Sequence, residues 1–349
     1  VPSPNYSSTK LQALFECDFS EEKLAQLIRG LGERTSPRKS LTPDQVQLFG
    51  ERYGFLKRPS RPLVMAVFIT KGGVLKTTLT LNLARLAALH NIRTCVVGLD
   101  MQGDVSSALS DADDDETSED LSAAMSHLDT IRGLGDILHS QTPVLDLVCS
   151  TDLPALSYIP ETPELVLLNQ QIQMRNRREF WLKEYVTEPL KQHFDLILLD
   201  CSPNWNHLTT NALVACDALI SPLECKIHNF RNLKFFRSFI DELRRDLALS
   251  FKHCYVPTKY AANRKLCRDI LEWYQRHVPG CTAMPIRESL TSEEACALQL
   301  SVVEYAPRSP AALEMRDVLR DIWKATVGRP AVVDRPSTLP RVNEPEVTL

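Results

Sequence analysis

Thr70-Lys71-Gly72-Gly73-Val74-Leu75-Lys76-Thr77-Thr78-Leu79 is the stretch that decides the fold. It follows an apolar run, Leu63-Val64-Met65-Ala66-Val67-Phe68-Ile69, that reads as a buried strand, and it leads into Thr80 to Leu89, which reads as a helix. Strand, glycine-containing loop, Lys-Thr and helix is the layout of a phosphate-binding loop, in which backbone N–H groups and a helix N-terminus face an anion. Lys76 is then expected to reach the β- and γ-phosphates, and the Thr77 hydroxyl to ligate Mg²⁺. The plain G-x-x-x-x-G-K-[ST] pattern fails at one position, because Leu75 stands where glycine is expected, and an extra lysine, Lys71, opens the loop. The bland alternative is a Gly-Gly turn between strand and helix with two solvated lysines.

Two further motifs speak against that alternative. Cys95-Val96-Val97-Gly98-Leu99-Asp100-Met101-Gln102-Gly103-Asp104 is a β-rich run ending in a carboxylate and a glycine turn. Phe194-Asp195-Leu196-Ile197-Leu198-Leu199-Asp200-Cys201-Ser202-Pro203 is an apolar strand with Asp200 at its C-terminal end. Each aspartate alone fits a turn or helix-cap residue equally well. Together with the loop they place Lys/Thr, Asp and Asp on three strand ends, where open parallel sheets bind ligands.

These motifs carry a resemblance to the ParA family of partition ATPases, the deviant P-loop group that includes MinD and the nitrogenase iron protein. Lys71 to Thr78 resembles the family's KGGVGKTT loop, Asp100 to Asp104 its DPQGN segment, and Asp200-Cys201-Ser202-Pro203 its DCPP. Leu208 to Asp217 resembles LTxNALxAAD, Ser221-Pro222-Leu223-Glu224-Cys225 resembles IPLQC, and Leu300 to Ala312 resembles GxSVFEYDPKSPAA. The similarity covers roughly residues 62–325, in the family's order. Departures from the pattern are Leu75 for glycine, Gly98 for an aspartate two positions before Asp100, and Asp104 for asparagine.

The resemblance implies ATP and Mg²⁺ as cofactors. Lys71, Gly72, Gly73, Val74, Leu75, Lys76, Thr77 and Thr78 are expected to bind the nucleotide, and Thr77, Asp100 and Asp200 the metal. Asp100 is expected to position or polarise the attacking water. Lys71 corresponds to the family's signature lysine, which reaches across an ATP-sandwiched homodimer to the partner's nucleotide, so catalysis is expected from Lys71, Lys76 and Asp100 and to be slow until two subunits close. Relatives bind DNA non-specifically through basic residues in the carboxy-terminal third, here Arg264, Lys265, Arg268, Arg287 and Arg308, with Lys259 nearby in sequence; solvated helix charges are the plainer reading of any one of them. The expected function is segregation of plasmid or chromosome DNA with a ParB-like centromere-binding partner that stimulates hydrolysis. A nucleotide-gated DNA-binding regulator with little turnover, on account of Leu75, and a positioning ATPase for a protein cargo are the alternatives.

The rest of the 349-residue chain bounds this reading. Strand and helix patterns alternate from residue 62, which predicts an α/β domain over 62–328, a mainly parallel twisted sheet with helices on both faces. Strands are expected near 64–69, 94–99, 144–149, 195–199, 217–222, 253–257 and 281–285. Residues 1–61 predict a small helical module, possibly of helix-turn-helix type, with a capping box at Thr42-Pro43-Asp44-Gln45 and a basic linker at Lys57 to Pro62. A module of this kind in relatives often reads DNA; a packing appendage is the alternative. Residues 329–349 are expected to be a disordered tail, and the acidic run Asp111 to Asp120 a solvated loop. Net charge is −4, so no global basic field announces nucleic acid and any DNA surface must be local. Ten cysteines without a C-x-x-C pair fit a reducing cytosol, and without an 18-residue apolar run no membrane span is expected; association with the nucleoid is what the resemblance implies.

Overall fold

The computed structural model describes residues 6–30, 41–110 and 131–327. The expectations for the basic stretch Arg34 to Ser40, the acidic run and the tail after residue 328 lie outside these residues. Seven strands form one sheet in the order β3-β4-β2-β5-β1-β6-β7. They are β1 Leu63–Val67, β2 Thr94–Leu99, β3 Cys149–Ser150, β4 Leu156–Ile159, β5 Leu196–Cys201, β6 Ala218–Glu224 and β7 Lys252–Thr258. Every pairing is parallel except β3 with β4, where Cys149 faces Tyr158. The result is the mainly parallel α/β, P-loop NTPase-like sheet that the strand–helix alternation predicts.

The central strands are buried along their whole length, and period-2 alternation divides them between two layers. Leu63, Met65, Val67, Leu196 and Leu198 face one core, whereas Val64, Ala66, Phe68, Ile197 and Leu199 face the other. The first layer is covered by α4 (Lys76–Leu89), by a long C-terminal helix (Pro310–Val327) and by α1 (Ser8–Phe15), α2 (Glu21–Arg29) and α3 (Pro43–Tyr53). The helices ahead of β1 therefore share a core with the helix that starts at the phosphate loop. Phe15 and Phe49 lie 5.7 Å apart between ring centroids, and Leu14, Val46, Leu86 and Leu319 belong to the same cluster. The predicted capping box at Thr42 is formed and starts α3. In the basic linker, Arg58 and Arg61 pair at 3.4 Å with Asp195 and Asp217, which precede β5 and β6.

Two strand expectations differ from the structure. Residues 144–147 form a 3-10 turn, and only Cys149–Ser150 reach the sheet. The parallel strand there is β4, four residues hemmed by Pro154 and Pro160, too short and too punctuated to stand out in the sequence. At 281–285 there is an isolated bridge from Cys281 to Tyr255 in place of a strand.

One buried ion pair ties the elements of the first layer together. Arg85 on α4 donates to Glu304 through Nε at 2.7 Å and through Nη2 at 3.0 Å, and binds Asp152 at 2.8 Å through both terminal nitrogens. Glu304 also accepts from the Tyr6 hydroxyl at 2.8 Å and from Ser301 Oγ at 2.7 Å, and Tyr6, Arg85 and Glu304 are all buried. Burial opposes ionisation of Glu304, but Arg85 and Ser301 hold its carboxyl below the usual carboxylate range. A fully satisfied pair of this kind is costly to break from one side, because the remaining charge stays buried. Glu304→Leu is expected to lose about 3–5 kcal/mol of unfolding free energy in urea titration, whereas removing an exposed partner, as in Arg276→Ala, is expected to cost under about 1 kcal/mol.

Candidate functional site

The C-terminal ends of β1, β2 and β5 converge on a cavity of about 660 Å³. Gly72 to Thr78 line one wall; Leu99 to Gln102, Asn169, Ser202 to Asn204 and Lys259 complete it. The loop reverses direction through two left-handed residues. Gly73 has φ 65°, and Leu75 has φ 70°, ψ 32° and caps α4 with its backbone alone. Leu75 thus takes the conformation that a glycine supplies without steric cost. Its side chain is half-buried and packs on the core beneath α4. The departure from the glycine pattern thus keeps a left-handed residue at this point of the loop.

Lys76 is 7% exposed, and its ammonium donates to the Lys71 carbonyl at 3.3 Å, inside the curve of the loop. Next to it, Asp200 is the penultimate residue of β5 and is 1% exposed. Thr77 donates to Asp200 Oδ2 and Thr80 to Oδ1, each at 2.7 Å. Burial pushes the Asp200 carboxyl up to about 7; the two hydroxyls oppose the shift, and Glu161 adds to it. A desolvated carboxylate held by neutral donors, beside a cavity lined by backbone N–H groups, suits a hard dication with oxygen ligands. Among the described residues no three His, Cys, Asp or Glu side chains gather as a protein-only metal cage. Thr77 and Asp200, with Asp100 at the cavity wall, would then be the protein's contribution to a magnesium ion that takes its other ligands from phosphate and water. Asp100 follows β2 at the cavity wall, and its Oδ1 accepts from Gln102 N at 3.4 Å within its own turn. Cys201, one residue beyond Asp200, is fully buried in the second core layer and is a packing residue.

Lys71 does not point into the cavity. Its ammonium is bound to the Glu224 carboxylate at the end of β6 and to Asn229 Oδ1 at 2.7 Å. Burial opposes the charge on Glu224, but Lys226, Lys71 and Asn229 together hold its carboxyl at about 2. The cationic residues divide into groups. Arg264, Lys265 and Arg268 are exposed on the first turn of the helix Lys265–His277. Arg287 bridges to Tyr260 just ahead of that turn, but its guanidinium is paired with Glu314. Arg308 is exposed on the turn before Pro310–Val327, and Lys259 pairs with Glu288 at 3.4 Å. Thr80, Glu161, Glu224 and Asn229 are the site residues that sequence reasoning missed. Thr80 alone carries a signal, since it lies three residues after Thr77 on the same helical face.

An AAA-domain family model, AAA_31, matches residues 63–252. The chain is 31% identical over 263 residues to the sporulation initiation inhibitor protein Soj of Bacillus subtilis, covering 74% of this chain and 97% of that protein. It is 30% identical over 184 residues to the chromosome partitioning protein ParA of Myxococcus xanthus, covering 53% of this chain and 60% of that relative's length. A solved structure of a putative plasmid partition protein from Borrelia burgdorferi, bound to AMPPNP, superposes with a TM-score of 0.61 at 20% identity, covering 76% of this chain and 99% of that one.

Two stability predictions come from this geometry. Leu75→Gly relieves roughly 1–2 kcal/mol of left-handed strain and gives up roughly 1 kcal/mol of half-buried side chain. Its thermal midpoint is expected within a few degrees of the parent, without faster single-turnover hydrolysis, whereas Leu75→Ala keeps the strain, loses the contacts and melts lower. For Asp200, the unfolded carboxyl ionises near 3.8 and the folded one near 7. The cost of its buried charge therefore sets in as pH rises from about 4 to about 7 and is fully present above that. Calorimetry of the ligand-free protein is expected to show Asp200→Asn melting above the parent at pH 8, with the gain shrinking at pH 5.

Proposed function

The chain belongs to the ParA family of partition ATPases, and on that premise we propose that it binds ATP with Mg²⁺ in the cavity above β1, β2 and β5, dimerises, hydrolyses the nucleotide slowly and moves plasmid or chromosome DNA. The observation that carries this reading is the cluster of Lys76, Thr77, Thr80 and Asp200 beneath a loop of left-handed residues. Loop N–H groups and Lys76 hold the β- and γ-phosphates. Thr77, Asp200 and Asp100 would hold Mg²⁺, and the ion would supply positive charge to offset that of the phosphoryl group. Asp100, on the cavity wall, orients the attacking water.

Lys71 acts in trans on the partner's nucleotide in this proposal, and to do so it exchanges Glu224 and Asn229 for phosphate. The cost of separating that ion pair belongs to dimer closure, which favours low turnover in the monomer. Lys76→Ala is expected to lose nucleotide binding. Lys71→Ala is expected to keep it and lose the ATP-dependent dimer, as read by light scattering with a slowly hydrolysed analogue. ATPase assays of the parent, with and without DNA and a ParB-like protein, test the whole proposal; absence of turnover in all conditions would refute it.

DNA binding rests on Arg264, Lys265 and Arg268. Cations at a helix N-terminus oppose its macrodipole, and among the described residues only the Arg268 side chain of the three has a bond to the chain there, donating to the Ala262 carbonyl at 2.7 Å; cations and helix N-terminal N–H groups together suit a phosphate backbone. Arg287 and Arg308 stand at the margin of this set. The helices ahead of β1 are less suited to reading an operator. Helix α3 buries Val46, Phe49 and Gly50 and exposes Asp44, Leu48, Glu51 and Arg52, a face without cationic excess. Neutralising Arg264 and Lys265 together is expected to flatten the salt dependence of ATP-gated DNA binding by roughly one to two units of log–log slope, measured by fluorescence anisotropy.

A further inference from the structure

Gly98 sits beside Asp200 in the β2–β5 register. A Cβ at position 98 would fall 2.2 Å from Glu161 Cδ and 2.5 Å from its Oε1, so the Glu161 carboxyl fills the volume that a side chain at 98 would need. Glu161 lies two residues past the end of β4. Its carboxylate accepts the backbone N–H of Val105 at 3.1 Å and of Ser106 at 3.0 Å, together with the Ser106 hydroxyl. The Glu161 N–H donates back to Ser106 Oγ at 3.1 Å. Val105 and Ser106 are in the first turn of α5 (Asp104–Leu109), whose N–H groups lack intrahelical partners. That turn is the far anchor of the segment Asp100 to Gly103 on the cavity wall. Gly103, at φ 73°, closes it by donating to the Asp100 carbonyl at 3.3 Å.

We propose that Glu161 is the positioning residue that fixes the Asp100–Gly103 segment against the nucleotide cavity, reaching it from the end of β4 through the space that the absent side chain of Gly98 leaves open. A side chain at 98 and the Glu161 carboxyl compete for one volume, so a carboxylate introduced at 98 needs that space vacated at 161. Glu161 touches no substrate. It acts through the α5 N-terminus, and so through Asp100, which makes this inference dependent on the role of Asp100 in ATP hydrolysis proposed above.

The test is a double-mutant cycle on the full chain with steady-state ATPase kinetics, thermal midpoints and hydrogen exchange at the Val105 and Ser106 amides. Glu161→Ala is expected to lower kcat by about tenfold to a hundredfold with KM within about threefold, and to speed exchange at both amides. Gly98→Asp alone is expected to lower the thermal midpoint, because the new side chain and Glu161 need the same space. Gly98→Asp with Glu161→Ala is expected to recover most of kcat and to slow exchange again. Glu161→Gln, which keeps shape but turns an amide group toward N–H donors, is expected to fall between parent and Glu161→Ala, and it decides the question should Glu161→Ala not fold. Parent-like kcat and exchange in Glu161→Ala, or in Glu161→Gln in its place, would overturn the inference, as would a double variant no better than Glu161→Ala. If the parent itself turns over no ATP, the proposed function fails, and the exchange data still judge whether Glu161 fixes this segment.

Discussion

The burial of one carboxylate organises the site. Asp200 is the penultimate residue of the central strand, with β1 on one side and β2 on the other, and forms no direct ion pair among the described residues. Inside the protein it is compensated by the hydroxyls of Thr77 and Thr80 on α4 and, more weakly, by the charge of Lys76. Taking a carboxylate out of water onto neutral donors is expensive, and burial accordingly pushes its pKa upward. The strain is useful if a dication arrives with the nucleotide, because the same desolvation that penalises the bare charge strengthens its attraction to a metal. The rest of the site is arranged around this point: Lys76 in the loop above, Gly98 alongside in register, Glu161 behind it.

The phosphate loop shows how a sequence departure can leave geometry unchanged. Leucine at position 75 pays a left-handed penalty that glycine would not, and recovers part of it by packing on the core that α4 shares with the helices ahead of β1. A nearby departure, Gly98, is compensated differently. There the space that a side chain would need is filled by the Glu161 carboxyl from another strand end, 63 residues further along the chain.

Lys71 and the carboxy-terminal cations show two uses of positive charge. Lys71 is committed to Glu224 and Asn229, so any role across a dimer begins with an exchange of partners. Arg264, Lys265 and Arg268 have no carboxylate of comparable commitment and crowd a helix end where cations are disfavoured. The buried Arg85–Glu304 pair is a third use, purely structural. It joins the phosphate-loop helix to the carboxy-terminal motif and, through Tyr6, to the start of the chain.

Much of this was legible in the sequence. A run such as Leu196 to Leu199 can only be a doubly buried strand, and a carboxylate following such a run must sit at its end; the glycine loop and Lys76-Thr77 then set the phosphate site by local backbone chemistry. Those signals are short-range, and one chain suffices to read them. What the tertiary structure decided depends on groups distant in sequence meeting in space. Glu161 filling the space beside Gly98, Glu224 holding Lys71 and Thr80 sharing Asp200 all arise where strand ends converge, and β4 escaped notice because four residues between prolines carry too little periodicity. The packing of α1 to α3 was equally hidden, since an amphipathic helix announces that one face is buried but not against what. Residue types and spacing fix local conformation and burial; which buried charges meet is set only once the sheet order brings the strand ends together.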